Sequence, residues 1–336
     1  MMKFEHGAIG LITTLVAILV GVNFARPPAA VTATPKASFG RLDKGLSPTR
    51  IDKAIARVKG ARVKSGGGKS EASEAKVLPH GLDYDLAAVG AGKKAVPRLI
   101  LASLPENLAG VQGNSRRKAF FFKAVLPLIL QVNEEILKDR RRLWSLRYQT
   151  SLGQPLRATD RLWLAMMSER YKDKKTKGGV AGKLARLLVK VDVIPPSLAL
   201  AQAAEESGWG GSRFAREGNA IYGQWTWNSQ DGLTPLERED GKTHKIRVFP
   251  SILDSVRAYV MNLNTHRSYR GLRKARAVLR RIGAPLDGMV LAGLLGGYSV
   301  RGLKYVETIR ALIDANKLRR LDDARLQDDK AADLLI

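Results

Sequence analysis

The chain has 336 residues, 45% of them hydrophobic and 6% aromatic, enough to bury a sizeable core in one or two domains. With 57 Lys+Arg against 31 Asp+Glu the net charge is +26, which draws it to something anionic: nucleic acid, a lipid surface or an acidic wall polymer. The absence of cysteine excludes disulfides and thiolate chemistry, and four scattered histidines give no zinc-ligand spacing.

In chain order, the first element is "AIGLITTLVAILVGVNF", Ala8 to Phe24, an uncharged and mostly apolar run. Its length lies between a signal h-region and a short membrane span, so residues 1–28 are expected to be a signal-anchor or signal peptide. Val31-Thr32-Ala33 offers a small-residue cleavage site, although Arg26 and Lys36 on the far side do not by themselves favour export. Residues 29–79, including "KSGGGKS", read as a basic low-complexity linker. From Val96 the pattern turns helical. A long helix opens at a cap-like Asn114-Ser115 and places Phe121, Val125, Leu128, Ile129, Val132 and Ile136 at helical spacing, with a kink expected at Pro127. A second helix is expected at about Arg161–Tyr171 and a third within "VAGKLARLLVKVDVIPPS", so residues 80–180 form a helical extension.

In "SLALAQAAEESGWG", Ser197 is the expected N-cap and Gly208 the stop. Glu205 and Glu206 then sit at the negative end of the helix dipole, emerging from a small apolar helix. Desolvation and the dipole both push such a carboxyl upward, which a general acid working near neutral pH requires. Surface glutamates beside a packed Trp209 would leave the same letters, and the next stretch shifts the balance. "AIYGQWTWN" and "HKIRVFPS" alternate like two strands of a hairpin, crowding Tyr222, Gln224, Trp225 and Trp227 onto the first. Rings with polar tips suit sugar faces and hydroxyl rims, with one of Trp225 or Trp227 reserved for packing. The connection, about Ser229 to Thr243, is long for a hairpin and offers Glu237, Glu239 and Asp240 as second carboxylates. A carboxyl pair across a cleft is the usual arrangement for glycoside hydrolysis. Four helices follow: one opened by a Ser251/Asp254 capping box and running to about Asn264, "SYRGLRKARAVLRRIG", "GMVLAGLLGG" capped by Asp287, and "LKYVETIRALIDANKL". Residues 319–336 are expected to be a polar tail. The fold class is mainly α (α+β).

"SLALAQAAEESGWGGSRFAREGNAIYGQWTW" resembles the glucosaminidase domain of bacterial Bax-type proteins, close to glycoside hydrolase family 73 and related to flagellar peptidoglycan hydrolases. Gln202, Glu206, Ser207, Trp209, Gly210, Asn219, Tyr222 and Gly223 carry the match. The likeness continues in "VPRLILASLP", "FFFKAVLPLILQVNEEILKDR" and "GLLGGYSVRGLKYVETI", spanning Leu78 to Leu318. It implies a lysozyme-like helical domain with a small β-hairpin lobe at residues 181–318. It also implies an endo-β-N-acetylglucosaminidase that cleaves the β-1,4 bond after N-acetylglucosamine in peptidoglycan.

The family's catalytic glutamate directly precedes Ser-Gly-Trp, which makes it Glu206. Its second carboxylate lies four residues before a glycine, which makes it Glu237 before Gly241. Its late tyrosine motif falls on Tyr298 and Tyr305, seven apart and one more than the usual form. Glu206, Glu237 and Tyr305 are thus the expected catalytic residues. Gln202, Asn219, Tyr222, Gln224, Trp225, Trp227 and Tyr298 are the expected substrate contacts. Two routes stay open after protonation by Glu206: a water activated by Glu237, or assistance by the substrate's acetamido group with Tyr298 or Tyr305 orienting it. A lytic transglycosylase or muramidase of the same fold, and a non-catalytic wall-binding scaffold, are the alternatives. No metal or organic cofactor is expected. The expected partners are peptidoglycan strands and, through the N-terminal segment, the anionic inner-membrane surface. No helix-turn-helix, zinc or RNP signature supports a nucleic-acid partner. The expected location is the bacterial cell envelope, on the periplasmic side, anchored or released after cleavage.

Overall fold

A helix whose small and apolar residues run round every side belongs in the middle of a protein, and Leu198–Ala204 forms such a stretch within the helix Pro196–Ser207. The computed structural model describes residues 82–99, 101–105, 114–226, 232–234 and 245–328. Its elements in chain order are α1 (Leu86–Gly90), α2 (Asn114–Ser151), α3 (Ala158–Arg170), α4 (Gly179–Lys190), α5 (Pro196–Ser207) and α6 (Arg213–Gly218). Then come β1 (Trp225–Thr226), β2 (Gly232–Leu233), β3 (Lys245–Arg247), α7 (Ile252–Thr265), α8 (Arg270–Arg281), α9 (Gly288–Ala292) and α10 (Leu303–Ala315). Short 3₁₀ turns lie at Arg267–Tyr269 and Leu318–Leu321.

α5 is enclosed by α2, α9, α10 and the Leu318–Leu321 turn, and every residue from Pro196 to Ala204 is buried. Ser197, expected as its cap, lies inside the helix, which Pro195 precedes. The backbone N–H and hydroxyl of Ser197 both donate to the Asp322 carboxylate at 2.8 Å, and Gly288 N donates to it at 3.4 Å. One carboxylate therefore serves the amino ends of α5 and α9. A Cβ at Gly288 would lie 2.0 Å from the Ser197 hydroxyl, so only glycine lets the two helix ends meet. Burial pushes the Asp322 carboxyl up to about 6 despite these donors.

Several expected boundaries move. α2 runs unbroken past Pro127, and its first half is buried from Phe120 to Val132 except near Lys123 and Gln131. It packs on α4, α5 and α7, so the helical extension and the residues after it lie within one compact unit, Leu78–Ile336. The polar tail does not begin at 319: Leu318, Leu321 and Leu326 are buried, and Val96 forms a parallel bridge with Leu326. The expected hairpin is a three-stranded antiparallel sheet in the order β1-β3-β2, with Trp225 opposite Ile246 and Gly232 opposite Arg247. The described part of that alternating stretch, Ala220–Thr226, is a buried turn as much as a strand, because Asn219 (φ 52°) and Gly223 (φ 58°) are both left-handed. Ser251 and Asp287 cap α7 and α9 as expected, accepting from Asp254 N and Met289 N. Among the described residues no helix is long and apolar enough to cross a membrane, and Ala8–Phe24 lies outside them.

The carboxyl end of α4 collects arginines because its last carbonyls carry partial negative charge. Arg140 of α2 donates to the carbonyls of Leu188 and Val191 at 2.6 and 2.8 Å. Arg276 of α8, fully buried, donates to those of Val189, Lys190, Asp192 and Val193 at 3.0–3.3 Å. The buried Asp192 carboxylate answers them, bonding Arg280 at 2.9 and 3.2 Å with Arg140 at 3.5 Å and Arg276 at 3.8 Å. Burial alone would raise its pKa; the surrounding guanidiniums outweigh that and hold it below the ordinary value. Asp192→Asn leaves these buried charges uncompensated and should cost about 3–5 kcal/mol, read as a lowered thermal midpoint near neutral pH. A depressed carboxyl contributes stability above its unfolded pKa of about 3.9 that is lost as pH falls below it. The gap between wild type and variant should therefore close in acid.

Candidate active site

At the carboxyl end of α5 the sequence Ser-Gly-Trp-Gly makes a turn in which Gly208, Trp209 and Gly210 are all left-handed, with φ of 56°, 59° and 76°. That conformation is costly for tryptophan and persists only where the surroundings enforce it. Here the Trp209 ring packs edge-on to Phe121 and Phe122, centroids 6.0 and 5.3 Å away, beneath the Lys118 ammonium at 4.9 Å. The Ser207 hydroxyl donates to Ala203 O at 2.6 Å and accepts from Gly210 N at 2.8 Å. The motif thus ends α5 abruptly and fixes the backbone that carries Glu205 and Glu206. Trp209 is a packing residue.

A chain of side chains leads from the core to Glu206. Tyr259 of α7 donates to Gln202 Oε1 at 2.7 Å, Gln202 Nε2 donates to the Tyr305 hydroxyl at 2.9 Å, and Tyr305 donates to Glu206 Oε1 at 2.7 Å. With the Gln202 amide held this way round, the phenolic proton of Tyr305 is left for the carboxylate. Gln202, Tyr259 and Tyr305 are at most 1% exposed, whereas Glu206 is half-buried. The second carboxyl oxygen, Oε2, lies beside Gly223, where a Cβ would stand 3.7 Å from it.

Burial raises the Glu206 pKa; the Tyr305 hydrogen bond opposes this, neighbouring Glu205 adds to it, and Arg301 opposes it, with a net upward result. Glu205 itself is engaged by Arg301 Nη1 at 2.5 Å, and Arg301 Nη2 donates to Thr308 at 2.7 Å. The two adjacent glutamates are therefore unlike: one is paired with a cation, the other rests on a phenol. Tyr298 stacks on Tyr305 with centroids 5.3 Å apart and planes 6° from parallel, and Tyr269 follows at 5.8 Å.

The expected substrate contacts fall in different parts of the structure. Gln202 and Tyr222 belong to the core: Tyr222 stacks on Tyr259 at 3.8 Å and its hydroxyl donates to Ala199 O at 3.3 Å. Asn219 caps α6 in the left-handed region and donates to Phe249 O at 3.1 Å, with its Oδ1 buried and unpartnered. Gln224 accepts Arg247 N through its backbone at 2.8 Å, and its buried Nε2 has no partner. Tyr298 stands against Tyr305, in the wall beside Glu206. Trp225 contributes backbone to β1, but its side chain, together with Trp227, Glu237, Glu239 and Asp240, lies outside the described residues. Tyr259, Tyr269 and Arg301 join the site without having been selected from the sequence. Tyr259 had a signal: it falls in the buried stripe Ile252, Val256, Val260, Leu263, where a phenol needs a partner. Arg301 had none.

Residues 182–318 match the glucosaminidase family, described as mannosyl-glycoprotein endo-beta-N-acetylglucosaminidase. That span contains Glu206, Tyr298 and Tyr305. Protein Bax of Escherichia coli (strain K12) is 34% identical over 216 residues, covering 64% of this chain and 75% of that protein. No solved structure matches. On these matches the chain belongs to the Bax-type glucosaminidase-domain proteins, a family of glycoside hydrolase domains.

Proposed function

We propose that this protein is a peptidoglycan hydrolase, an endo-β-N-acetylglucosaminidase in which Glu206 is the general acid. The observation that carries the reading is a carboxyl with a raised pKa, one oxygen fixed by Tyr305 and the other beside the left-handed Gly223. A proton held on Oε2 passes to the glycosidic oxygen as the bond to C1 of N-acetylglucosamine breaks. The Tyr305 hydrogen bond to Oε1 strengthens as the carboxylate forms, so it favours the transition state over the ground state. The cation-like C1 is then met by a water activated by Glu237 or by the acetamido group, and the anomer released separates the two: inversion or retention. A carboxyl at the end of a buried helix, beside the Gly223 turn that leads into a small sheet, also fits the lysozyme-like architecture that the family resemblance implies. Ala8–Phe24 supports a place in the cell envelope, and the proposed chemistry favours the side that faces peptidoglycan.

The test is digestion of purified peptidoglycan by the full-length protein, with mass spectrometry of the reduced fragments. N-acetylglucosamine at the new reducing ends is expected. Anhydro-muramic ends would assign a lytic transglycosylase instead, and no release from several walls would leave a binding scaffold. Glu206→Gln should lower the rate by about a thousandfold, within the range that general acids contribute.

Activity requires Glu206 protonated, so it should fall as pH rises through the raised pKa of that group. Tyr305→Phe removes a donor that favours the carboxylate, so the alkaline limb of kcat should move to higher pH while the maximal rate drops about tenfold. Glu205→Gln removes a like charge and should move the same limb to lower pH. A pH–rate profile of the two variants beside the wild type checks both signs.

A further inference from the structure

We infer that a basic track, running from the tyrosine wall along α8 to the loop at residues 172–177, binds carboxylates of the glycan strand beyond the cleaved bond. This rests on the hydrolase reading above. Between Arg170 and Lys190 the single acidic residue is Asp173, and between His266 and Arg281 there is none. Asp173 is buried and gripped by Arg186 at 3.0 and 3.1 Å, so it does not offset the surface charge.

α8 packs on α4, which brings the two basic segments together. Lys190 links them. Its ammonium donates to the carbonyls of Tyr171 and Lys172 at 2.7 and 2.9 Å. Burial lowers its pKa, Asp173 opposes that, and Arg273, Arg186 and Lys175 lower it further. Arg273 is in turn depressed by burial and by Arg270. Through Lys190, α4 is tied to the start of the 172–177 loop, and through its packing it is tied to α8, so the two basic segments lie side by side.

Lys172, Lys174, Lys175, Arg267, Arg270 and Lys274 are exposed, and no ion pair engages them among the described residues. Uncompensated like charges destabilise a fold, so their retention on one face points to an anionic occupant. The track's near end identifies which one. Arg267 and Arg270 flank Tyr269, whose ring lies 5.8 Å from Tyr298, which stacks on the Tyr305 that holds Glu206. A polymer leaving the cleft past this wall passes onto α8, about 18 Å long at 1.5 Å per residue. Lactyl and stem-peptide carboxylates are the anions such a strand carries.

The experiment uses full-length Glu206→Gln protein, which binds without turnover, co-sedimented with insoluble peptidoglycan. Two variants are added to it: Arg270→Glu with Lys274→Glu, and Lys174→Glu with Lys175→Glu. Each pair should weaken binding about fivefold at low salt, because two charges are reversed on an exposed face. The difference should vanish between about 0.01 M and about 1 M salt, as the screening length falls from about 30 Å to about 3 Å. It should also vanish on peptidoglycan whose carboxylates have been amidated. Unchanged binding by both pairs would overturn the inference. So would a loss confined to anionic vesicles or duplex DNA, which would assign the face to a membrane or to nucleic acid. Charge-dependent binding with no fragment release by the wild-type protein would refute the hydrolase reading and leave the track standing. Fragment release with salt-independent binding would do the reverse.

Discussion

Everything in the site depends on burying α5 with its one interior amide satisfied. Helices packed around a run of alanine and leucine exclude water from Pro196 to Ala204, and Gln202 is the side-chain amide enclosed there. An amide in that position is costly unless both of its ends find partners. Tyr259 supplies one and Tyr305 the other, and the second of these reaches Glu206. The core therefore sets the geometry of the acid: the same bonds that make burial of Gln202 affordable determine which oxygen of Glu206 is held and which is open. The strained Gly-Trp-Gly turn completes this by ending the helix at the residue where the carboxyl must emerge.

Positive charge serves the molecule in two distinct ways. Inside, Arg140 and Arg276 bind the carbonyls at the end of α4, and both converge with the more exposed Arg280 on the buried Asp192 carboxylate. Outside, Arg267, Arg270 and Lys274 at and along α8 and Lys172, Lys174 and Lys175 of the 172–177 loop have no ion pair among the described residues, so their field projects into solvent. The net charge of +26 is one number for both populations, and only the outer one acts on a ligand. Beside the acid, Arg301 acts on Glu206 while committed to its neighbour Glu205.

What the sequence reveals of this arrangement is local. The end of α5, the Ser251 and Asp287 caps and the pairing of Glu206 with a tryptophan turn are all written within a few residues of each other. The contact of Gln202 with Tyr305 joins residues 103 apart, and no spacing rule announces it; the family likeness singles out both residues but not their contact. Tyr222 reads as a sugar-facing ring because it sits in an alternating stretch, yet left-handed residues on either side turn that stretch inward. The segment after Leu318 reads as a tail because it is polar, although its few leucines anchor it against α5 and Val96. Polar composition hides such anchoring, since three buried leucines are enough to hold a segment whose other side chains remain in water.

The most direct measurement is the titration of the Glu206 side-chain carboxyl by carbon NMR in the folded full-length protein. A midpoint clearly above the ordinary glutamate value of about 4.3 is expected if burial dominates at the end of α5. A midpoint at or below that value would mean that the Tyr305 hydrogen bond and Arg301 hold the group as a permanent anion, and Glu206 could not serve as the general acid.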